Sequence, residues 1–511
     1  MIFLGIDLGT TGVKLVALSD EGKVLFKHFE GYNLYTPKPG WSEEVPAEWW
    51  KAILKSLKAV SDFLGRNSTE VKALALSGQM HGSVFLDNNG KVIRPAILWN
   101  DTRTIKQRKE IESKIGKEEL LKKVQNLPLE GFTAPKILWL KENEPENYSK
   151  LWKVILPKDY INYKLTNRIC TEPTDASGTA LYDVIGKKWS NEIIEKIGLH
   201  LNIFPEVVKS TEAIGKISKE VSRETGINKE CLVIAGGADN VCGAVGAGVA
   251  DDGQMLISIG SSGVVFLPVN NPMKRDPKGR LHFFNHVENL WYNMGVTLSA
   301  GLSLKWFRET FEKHGLAEQR EDKNVYDFML EKAKKVSLGS EGLYYLPYLN
   351  GERTPYMDAK ARGIFLGFSL RHKEEHFIRS VLEGVAYSLK DSLEIAKKYG
   401  LKVKEAKIIG GGAKSELWTQ IITDVLNVNI DTLMMDEGPA FGAGILAAVG
   451  SGVYSTVQEA MKTMVKTKRT FKPISGNVEE YGKRYDIYKS IYRANAAIMS
   501  KSFDIERETT K

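Results

Sequence analysis

Residues 2–19 read IFLGIDLGTTGVKLVALS. Apolar residues alternate from Ile2 to Ile6 as on a half-buried strand, Leu8 to Gly12 supply a turn, and Val13 to Ser19 resume the strand pattern. The expected unit is a β-hairpin with a Gly-Thr-Thr-Gly tip. The device returns at residues 255–267, MLISIGSSGVVFL, where two apolar strands flank a Gly-Ser-Ser-Gly turn. This recurrence predicts two homologous halves. Between the hairpins, Leu232 to Ala235 reads as a strand ending in Gly236-Gly237-Ala238-Asp239-Asn240, and Val241 to Ala250 as a helix of small residues. A boundary at Ala250 to Gln254 divides the chain into residues 1–250 and 251–511. Further on, Ala406 to Ile409 reads as a short buried strand, Gly410 to Ser415 as its turn, Glu416 to Leu426 as a helix and Gly438 to Val449 as a second small-residue helix. Strands mixed with helices throughout point to the α/β class, with helix-covered sheets. A chain of 511 residues exceeds what one core usually serves, so two large domains with a cleft between them are expected.

Composition narrows the class. With 42% hydrophobic and 26% charged residues, a substantial core can be buried and no long disordered tail is expected. No apolar run reaches the length of a membrane span, and MIFLGIDLGTT lacks the basic region and cleavage site of a signal peptide. The expectation is a cytoplasmic protein with no membrane partner. Cys170, Cys231 and Cys242 are odd in number and lack metal or redox spacing, so they read as free, mostly buried thiols. The net charge of +8 comes from lysines interleaved with glutamates, as from Lys373 to Glu383 and from His314 to Lys323. Such dispersal reads as solvated helix faces and argues against a nucleic-acid partner.

The turns carry the chemistry. Glycines in Asp7-Leu8-Gly9-Thr10-Thr11-Gly12 let the backbone approach an anion. The amides and the Thr10 and Thr11 hydroxyls can donate to phosphate oxygens, and Asp7 can hold the Mg²⁺ that accompanies ATP. One such turn also reads as an ordinary hairpin, but its repetition at Gly260-Ser261-Ser262-Gly263 favours phosphate. Neither a Walker A loop nor a Rossmann fingerprint occurs. Asp239, delivered by a glycine turn, suits a carboxylate base for phosphoryl transfer to an alcohol, although alone it reads more readily as a helix N-cap. In Gly410-Gly411-Gly412-Ala413-Lys414-Ser415 the glycines permit close approach of a base or ribose, and Ser415 can cap the next helix. Ser77-Gly78-Gln79-Met80-His81-Gly82 and Trp99-Asn100-Asp101-Thr102-Arg103 gather the imidazole, amide and indole groups that bind polyols. Taken singly, His81 reads as a structural histidine and Trp99 as a packing residue.

In order along the chain, GIDLGTTGVK, SGQMHG, WNDTR, GFTAPKILWLKEN, GGADN, SIGSSG, YLNGERTPY, RGIFLGFSLRH through EGVAY, and GGGAKSELW resemble the FGGY carbohydrate kinases over nearly the whole length. The resemblance implies two actin-like ATPase (ribonuclease H-like) domains with a catalytic cleft between them, closing over ATP, Mg²⁺ and an open-chain sugar. It implies Asp7 near the metal and phosphates and Asp239 as proton acceptor. Met80 and His81 match a sugar-contacting pair, Trp99 and Asn240 stand where sugar contacts are expected, and Gly410 to Ser415 match a nucleotide-side loop. Gln79-Met80-His81-Gly82 resembles the branch that phosphorylates D-xylulose more than those acting on glycerol or ribulose. Siblings acting on gluconate, L-ribulose or a hexulose remain alternatives, as does an actin-like ATPase module without a sugar pocket. A homodimer is the default for such an enzyme. Phe368 departs from the family pattern, which more often carries an aliphatic residue there.

Overall fold

The computed structural model describes residues 1–311 and 325–509, so the helical face expected from His314 to Lys323 lies outside the described residues. The strands that frame the molecule are β1 (Ile2–Leu8), β2 (Gly12–Ser19), β3 (Val24–Gly31), β4 (Val71–Gly78), β5 (Ala213–Lys216) and β6 (Leu232–Ala238), followed by β7 (Gln254–Ile259), β8 (Gly263–Val269), β9 (His282–Asn285), β10 (Trp291–Thr297), β11 (Glu405–Ile409), β12 (Asn429–Leu433) and β13 (Thr467–Phe471). The main helices are α1 (Pro46–Leu64), α2 (Thr133–Asn143), α3 (Pro157–Thr166), α4 (Asp239–Gly246), α5 (Gly301–Phe311), α6 (Val325–Lys334), α7 (Glu374–Lys397), α8 (Glu416–Leu426), α9 (Pro439–Gly450) and α10 (Ser475–Thr509).

Both expected hairpins form, with Leu8 opposite Val13 and Ile259 opposite Gly263 at their tips. The likeness extends beyond them. The first sheet runs β3-β2-β1-β4-β6-β5 and the second β9-β10-β8-β7-β11-β12-β13. In each, an antiparallel three-strand unit (β3-β2-β1, β10-β8-β7) continues into two parallel crossover strands (β4 and β6, β11 and β12) and ends on one antiparallel strand. Only β9 has no counterpart. Alternation along β1 turns Ile2, Leu4, Ile6 and Leu8 to a core shared with Trp49, Ile53 and Leu57 of α1, while Phe3 faces a second core with residues of α4 and α9.

The helix after β6 and the helix after β12 occupy corresponding places and cross at the centre of the molecule. Their crossing is glycine-lined. A Cβ on Gly442 of α9 would lie 1.8 Å from the Cys242 carbonyl oxygen of α4, and one on Gly5 of β1 would lie 1.8 Å from the Ala440 carbonyl oxygen. Backbone therefore touches backbone where the halves meet.

Three expectations need correction. The strand read as Leu232 to Ala235 continues to Ala238, because Gly236 (φ +81°) adopts a left-handed conformation that bulges the strand without ending it. The helix read as Val241 to Ala250 spans Asp239–Gly246. Lys373 to Glu383 is no solvated face: α7 is buried along most of its length, and Arg379 pairs with Glu383 at 2.8 Å beside the Tyr481 hydroxyl. Its charges satisfy one another internally, which no charge count reveals. The three cysteines are free and buried. Phe368 is 65% exposed, its ring 6.1 Å from Phe377, so its substitution disturbs no core. Among the described residues, no helix is long and apolar enough to cross a membrane.

Candidate active site

Three parallel strands, β1, β4 and β6, end at one level, with Asp7 paired to Ser77 and Ser77 to Gly237. Strand ends in register bring Asp7, the Ser77–Gly82 segment and Asp239 to one mouth. The Asp7 carboxylate accepts a hydrogen bond from Ser77 Oγ at 2.8 Å. Burial pushes its pKa above the ordinary range, against the opposing pull of Ser77 and Lys14. Asp239 is the first residue of α4. Ala238 occupies the capping position, so Asp239 is not an N-cap. Its Oδ1 accepts from the Asn240 backbone N–H at 2.6 Å and from Asn240 Nδ2 at 3.1 Å. Burial, and then the charge of Asp7, push the Asp239 carboxyl up to about 7.

Asp239 is held from behind by residues the sequence did not single out. The Ala238 N–H donates to Thr174 Oγ1 at 2.8 Å, and that hydroxyl donates to Glu172 Oε1 at 2.8 Å. Glu172 belongs to a fully buried cluster around the Lys158 ammonium, with Asp159 at 2.7 Å, Asp175 at 3.4 Å and Glu172 at 3.8 Å.

On the acceptor side, Asn240 Nδ2 lies 3.8 Å from Met80 Sδ. His81 is over-determined. Its backbone takes φ +68°, its carbonyl accepts from Lys136 Nζ (2.8 Å) and Thr133 Oγ1 (3.1 Å), and its ring stacks on Phe132 at 4.2 Å. Nδ1 donates to the Gly178 carbonyl at 2.6 Å, which leaves Nε2 as the open position. Burial, reinforced by Lys136 and Arg353, drives the ring's pKa down to about 3, so the imidazole is neutral. Trp99, 49% exposed, donates from Nε1 to Thr10 Oγ1 at 3.1 Å and so touches the β1–β2 hairpin instead of packing in a core. Its neighbours differ: Asp101 and Arg103 form a buried pair at 2.7 Å and are structural.

In the second half, Gly260 and Ser261 line a cavity of about 390 Å³ together with Gly411, Gly412 and Ser415. Leu302 and Leu304 of α5, Tyr326 and Leu330 of α6, and Trp418 of α8 complete its apolar wall, with Lys305 among the polar groups. The hairpin tip is tied to α5, since Gly301 N–H donates to Gly260 O (2.9 Å) and Leu302 N–H to Ser261 O (3.1 Å). Ser415 Oγ accepts from the Trp418 N–H at 3.1 Å, so it caps α8 while lining the cavity. Gly410 and Ala413 face a different recess, bordered by Asp436. Ser262, Thr10 and Thr11 lie outside the cavity's lining.

The chain matches the N-terminal domain of the FGGY family of carbohydrate kinases over residues 2–246 and the C-terminal domain of that family over residues 255–451. It belongs to the FGGY carbohydrate kinases. It is 41% identical to a xylulose kinase of Bacillus subtilis (strain 168) over 490 residues, 96% of each chain. It is also 41% identical to a xylulose kinase of Lactococcus lactis over 508 residues, 99% of each chain. Among solved structures, a "xyloylose kinase" from Brucella ovis superposes with a TM-score of 0.90 at 32% identity, covering 98% of this chain and 100% of that one.

As an FGGY kinase the protein uses ATP as its phosphoryl donor and acts on a sugar. No sequence motif marks the α5–α6 wall of the cavity. Thr174, Glu172 and Lys158 gave no signal, because their role depends on strands brought together from distant positions. Gly178 gave no signal either, yet a Cβ there would come within 2.9 Å of both His81 Nδ1 and Met80 Cε.

Proposed function

We propose that this FGGY kinase transfers the γ-phosphoryl group of ATP to the terminal hydroxyl of D-xylulose, giving ADP and D-xylulose 5-phosphate. The observation that carries the reading is the joining of Asp239, poised at about 7, to Asp7 on one side and through Asn240 to Met80 on the other. Base, phosphate turn and acceptor pocket then form one site. The xylulose kinases that share about two-fifths of this sequence over nearly its full length support the choice of sugar.

In this reading His81 Nε2 and the Asn240 amide orient the sugar. Asp239, ionised, accepts the proton of the attacking hydroxyl as that oxygen approaches phosphorus. The Thr174–Glu172 bonds fix the backbone before Asp239, so its carboxylate does not swing away. Amides and hydroxyls of Thr10, Thr11, Gly260, Ser261 and Ser262 receive phosphate oxygens, with Trp99 bracing Thr10. The base and ribose occupy the cavity lined by Gly411, Gly412 and Ser415, while Gly410 and Ala413 of the same turn face the neighbouring recess. The residues fit Mg²⁺: Asp7 and Asp239 are carboxylates close enough for the charge of one to raise the pKa of the other, and Asp7 would be the main protein ligand. When bound, Mg²⁺ neutralises charge on the phosphate oxygens.

The lobes of residues 1–250 and 251–511 would close about the α4–α9 crossing, excluding water from the reaction. A cytoplasmic homodimer completes the proposal. The test is ADP release from ATP and Mg²⁺ with and without D-xylulose. Marked stimulation by the sugar is expected, whereas tight ATP binding with turnover indifferent to every sugar would mean an actin-like ATPase module and not a kinase.

A further inference from the structure

The segment Tyr348 to Tyr356, YLNGERTPY, has no role in the site as described, yet Arg353 at its centre is placed with unusual firmness. Glu352 Oε2 accepts from Thr297 Oγ1 at 2.7 Å, and its Oε1 accepts from the N–H of Leu298 (3.3 Å) and of Arg353 itself (2.7 Å). On the other flank, Thr354 N–H donates to Val296 O (3.1 Å), and the Thr354 hydroxyl accepts from Val296 N–H (3.1 Å) and donates to Arg280 O (3.2 Å). Both neighbours of Arg353 are thus tied to the end of β10 and to the approach to β9.

Strand β9 carries His282 and Phe284 to the acceptor side of the first half. The His282 ring stacks on Phe284 at 5.5 Å and lies 6.0 Å from Phe132, the ring on which His81 stacks. Asn126 fastens the same junction: its side chain accepts from Phe283 N–H (3.1 Å) and donates to Phe283 O (2.5 Å). Rings from both halves therefore pack together next to His81, with Arg353 near enough for its charge to act on both histidines. After burial, that charge is the leading influence holding His282 neutral, and it acts on His81 as well.

The guanidinium is half-buried, and among the described residues no hydrogen bond or ion pair engages it. The carboxyls nearest in influence are Glu130 and Glu352. Neither cancels its charge. Glu130 is engaged by Arg108 at 2.9 Å, and burial pushes Glu352 up to about 8, leaving it largely protonated at neutral pH. A guanidinium with five donors and no protein acceptor is free to bind a ligand rich in oxygen.

We infer that Arg353 is a sugar-binding residue contributed across the cleft by the second half, its guanidinium donating hydrogen bonds to oxygens of the open-chain acceptor beside His81. The inference rests on assigning the Met80–His81 cluster to the sugar. It makes the acceptor pocket a product of both halves, so acceptor recognition depends on how the lobes are set. A charged donor that loses its partner costs enough to weaken acceptor binding by roughly 10- to 100-fold.

The experiment compares Arg353→Gln and Arg353→Lys with the unaltered chain, using whichever sugar of a ketose, sugar-acid and glycerol panel the unaltered chain turns over best. KM for sugar, KM for ATP, kcat and Tm are measured. The expected result for R353Q is a sugar KM raised about 10- to 100-fold, with kcat, ATP KM and Tm nearly unchanged, and R353K falling between. The loss should shrink with glycerol, which has fewer oxygens to contact. A sugar KM unchanged in both variants would overturn the inference while leaving the kinase reading intact. So would a loss shared equally by ATP KM and Tm, which would mark Arg353 as structural. Absence of any sugar-dependent turnover in the unaltered chain would overturn the kinase reading, and this inference with it.

Discussion

Gly442→Ala places one methyl group at the crossing of α4 and α9. Its Cβ would stand 1.8 Å from the Cys242 carbonyl oxygen and 2.8 Å from the Gly246 nitrogen, both backbone atoms that no rotamer change can move. An ordinary carbon–oxygen contact is about 3.3 Å, so the helices must part by roughly 1.5 Å. Asp239 begins the helix that would be displaced, three residues before Cys242. Overpacking of this kind costs about 1–3 kcal/mol, partly offset by alanine's better helix propensity of up to about 1 kcal/mol. The larger effect falls on catalysis, where a misplacement of about 1 Å can cost a hundredfold in rate. Gly243→Ala on the facing helix is the control, because its Cβ meets only Pro439 Cγ at 3.9 Å. Thermal unfolding and ADP-release kinetics of the two variants should diverge, G243A remaining as stable and active as the parent and G442A losing most of its turnover. A G442A protein with normal Tm and kcat would refute the view that this crossing sets the geometry of the base.

Asp239→Asn keeps the size of the side chain but removes the proton acceptor. Turnover should fall by about 10²- to 10⁴-fold with ATP affinity by calorimetry nearly intact, and normal turnover in a folded variant would remove Asp239 from the mechanism. At Gly411 a Cβ meets nothing closer than Ile259 O at 3.9 Å and projects toward the cavity, so Gly411→Val should raise the KM for ATP about tenfold without changing that for sugar. An unchanged ATP KM would place the nucleotide elsewhere. Glu44 is buried, accepting from Trp49 Nε1 (2.7 Å) and Gln79 Nε2 (2.9 Å), and burial pushes it up to about 8. Because its folded pKa lies above its unfolded one, its contribution to stability is complete below the unfolded pKa near 4.5 and is lost as pH rises through about 8. Glu44→Gln lacks this titration, so its Tm relative to the parent should climb between pH 5 and pH 9. Parallel Tm–pH curves would show that the carboxyl is already ionised in the folded state.

Features set by local pattern were legible in the sequence. Alternation exposed both hairpins, small residues marked α4 and α9, and Ser415 signalled a helix cap that is present. Features that depend on distant pairing were not. That β4 and β6 flank β1 in parallel, bringing Ser77 beside Asp7 and Gly237 beside Ser77, follows from crossovers of tens of residues that carry no local mark. Asp239 matched a capping pattern because a left-handed glycine upstream lets the strand run on for three more residues, a backbone choice that side-chain identity does not announce. The charges of Lys373 to Glu383 looked solvated because their partner, Tyr481, lies about a hundred residues away. Arg353 sat in a recognisable motif, but its open guanidinium becomes visible only when Glu130 and Glu352 are seen to be otherwise engaged.

The central claim is that the acceptor is D-xylulose. The most direct measurement is kcat/KM for D-xylulose, L-xylulose, D- and L-ribulose, fructose, gluconate and glycerol under saturating ATP and Mg²⁺. D-xylulose should lead the panel by about tenfold or more. A higher value for another member would contradict the assignment of the sugar while leaving Asp239 and the nucleotide cavity in place.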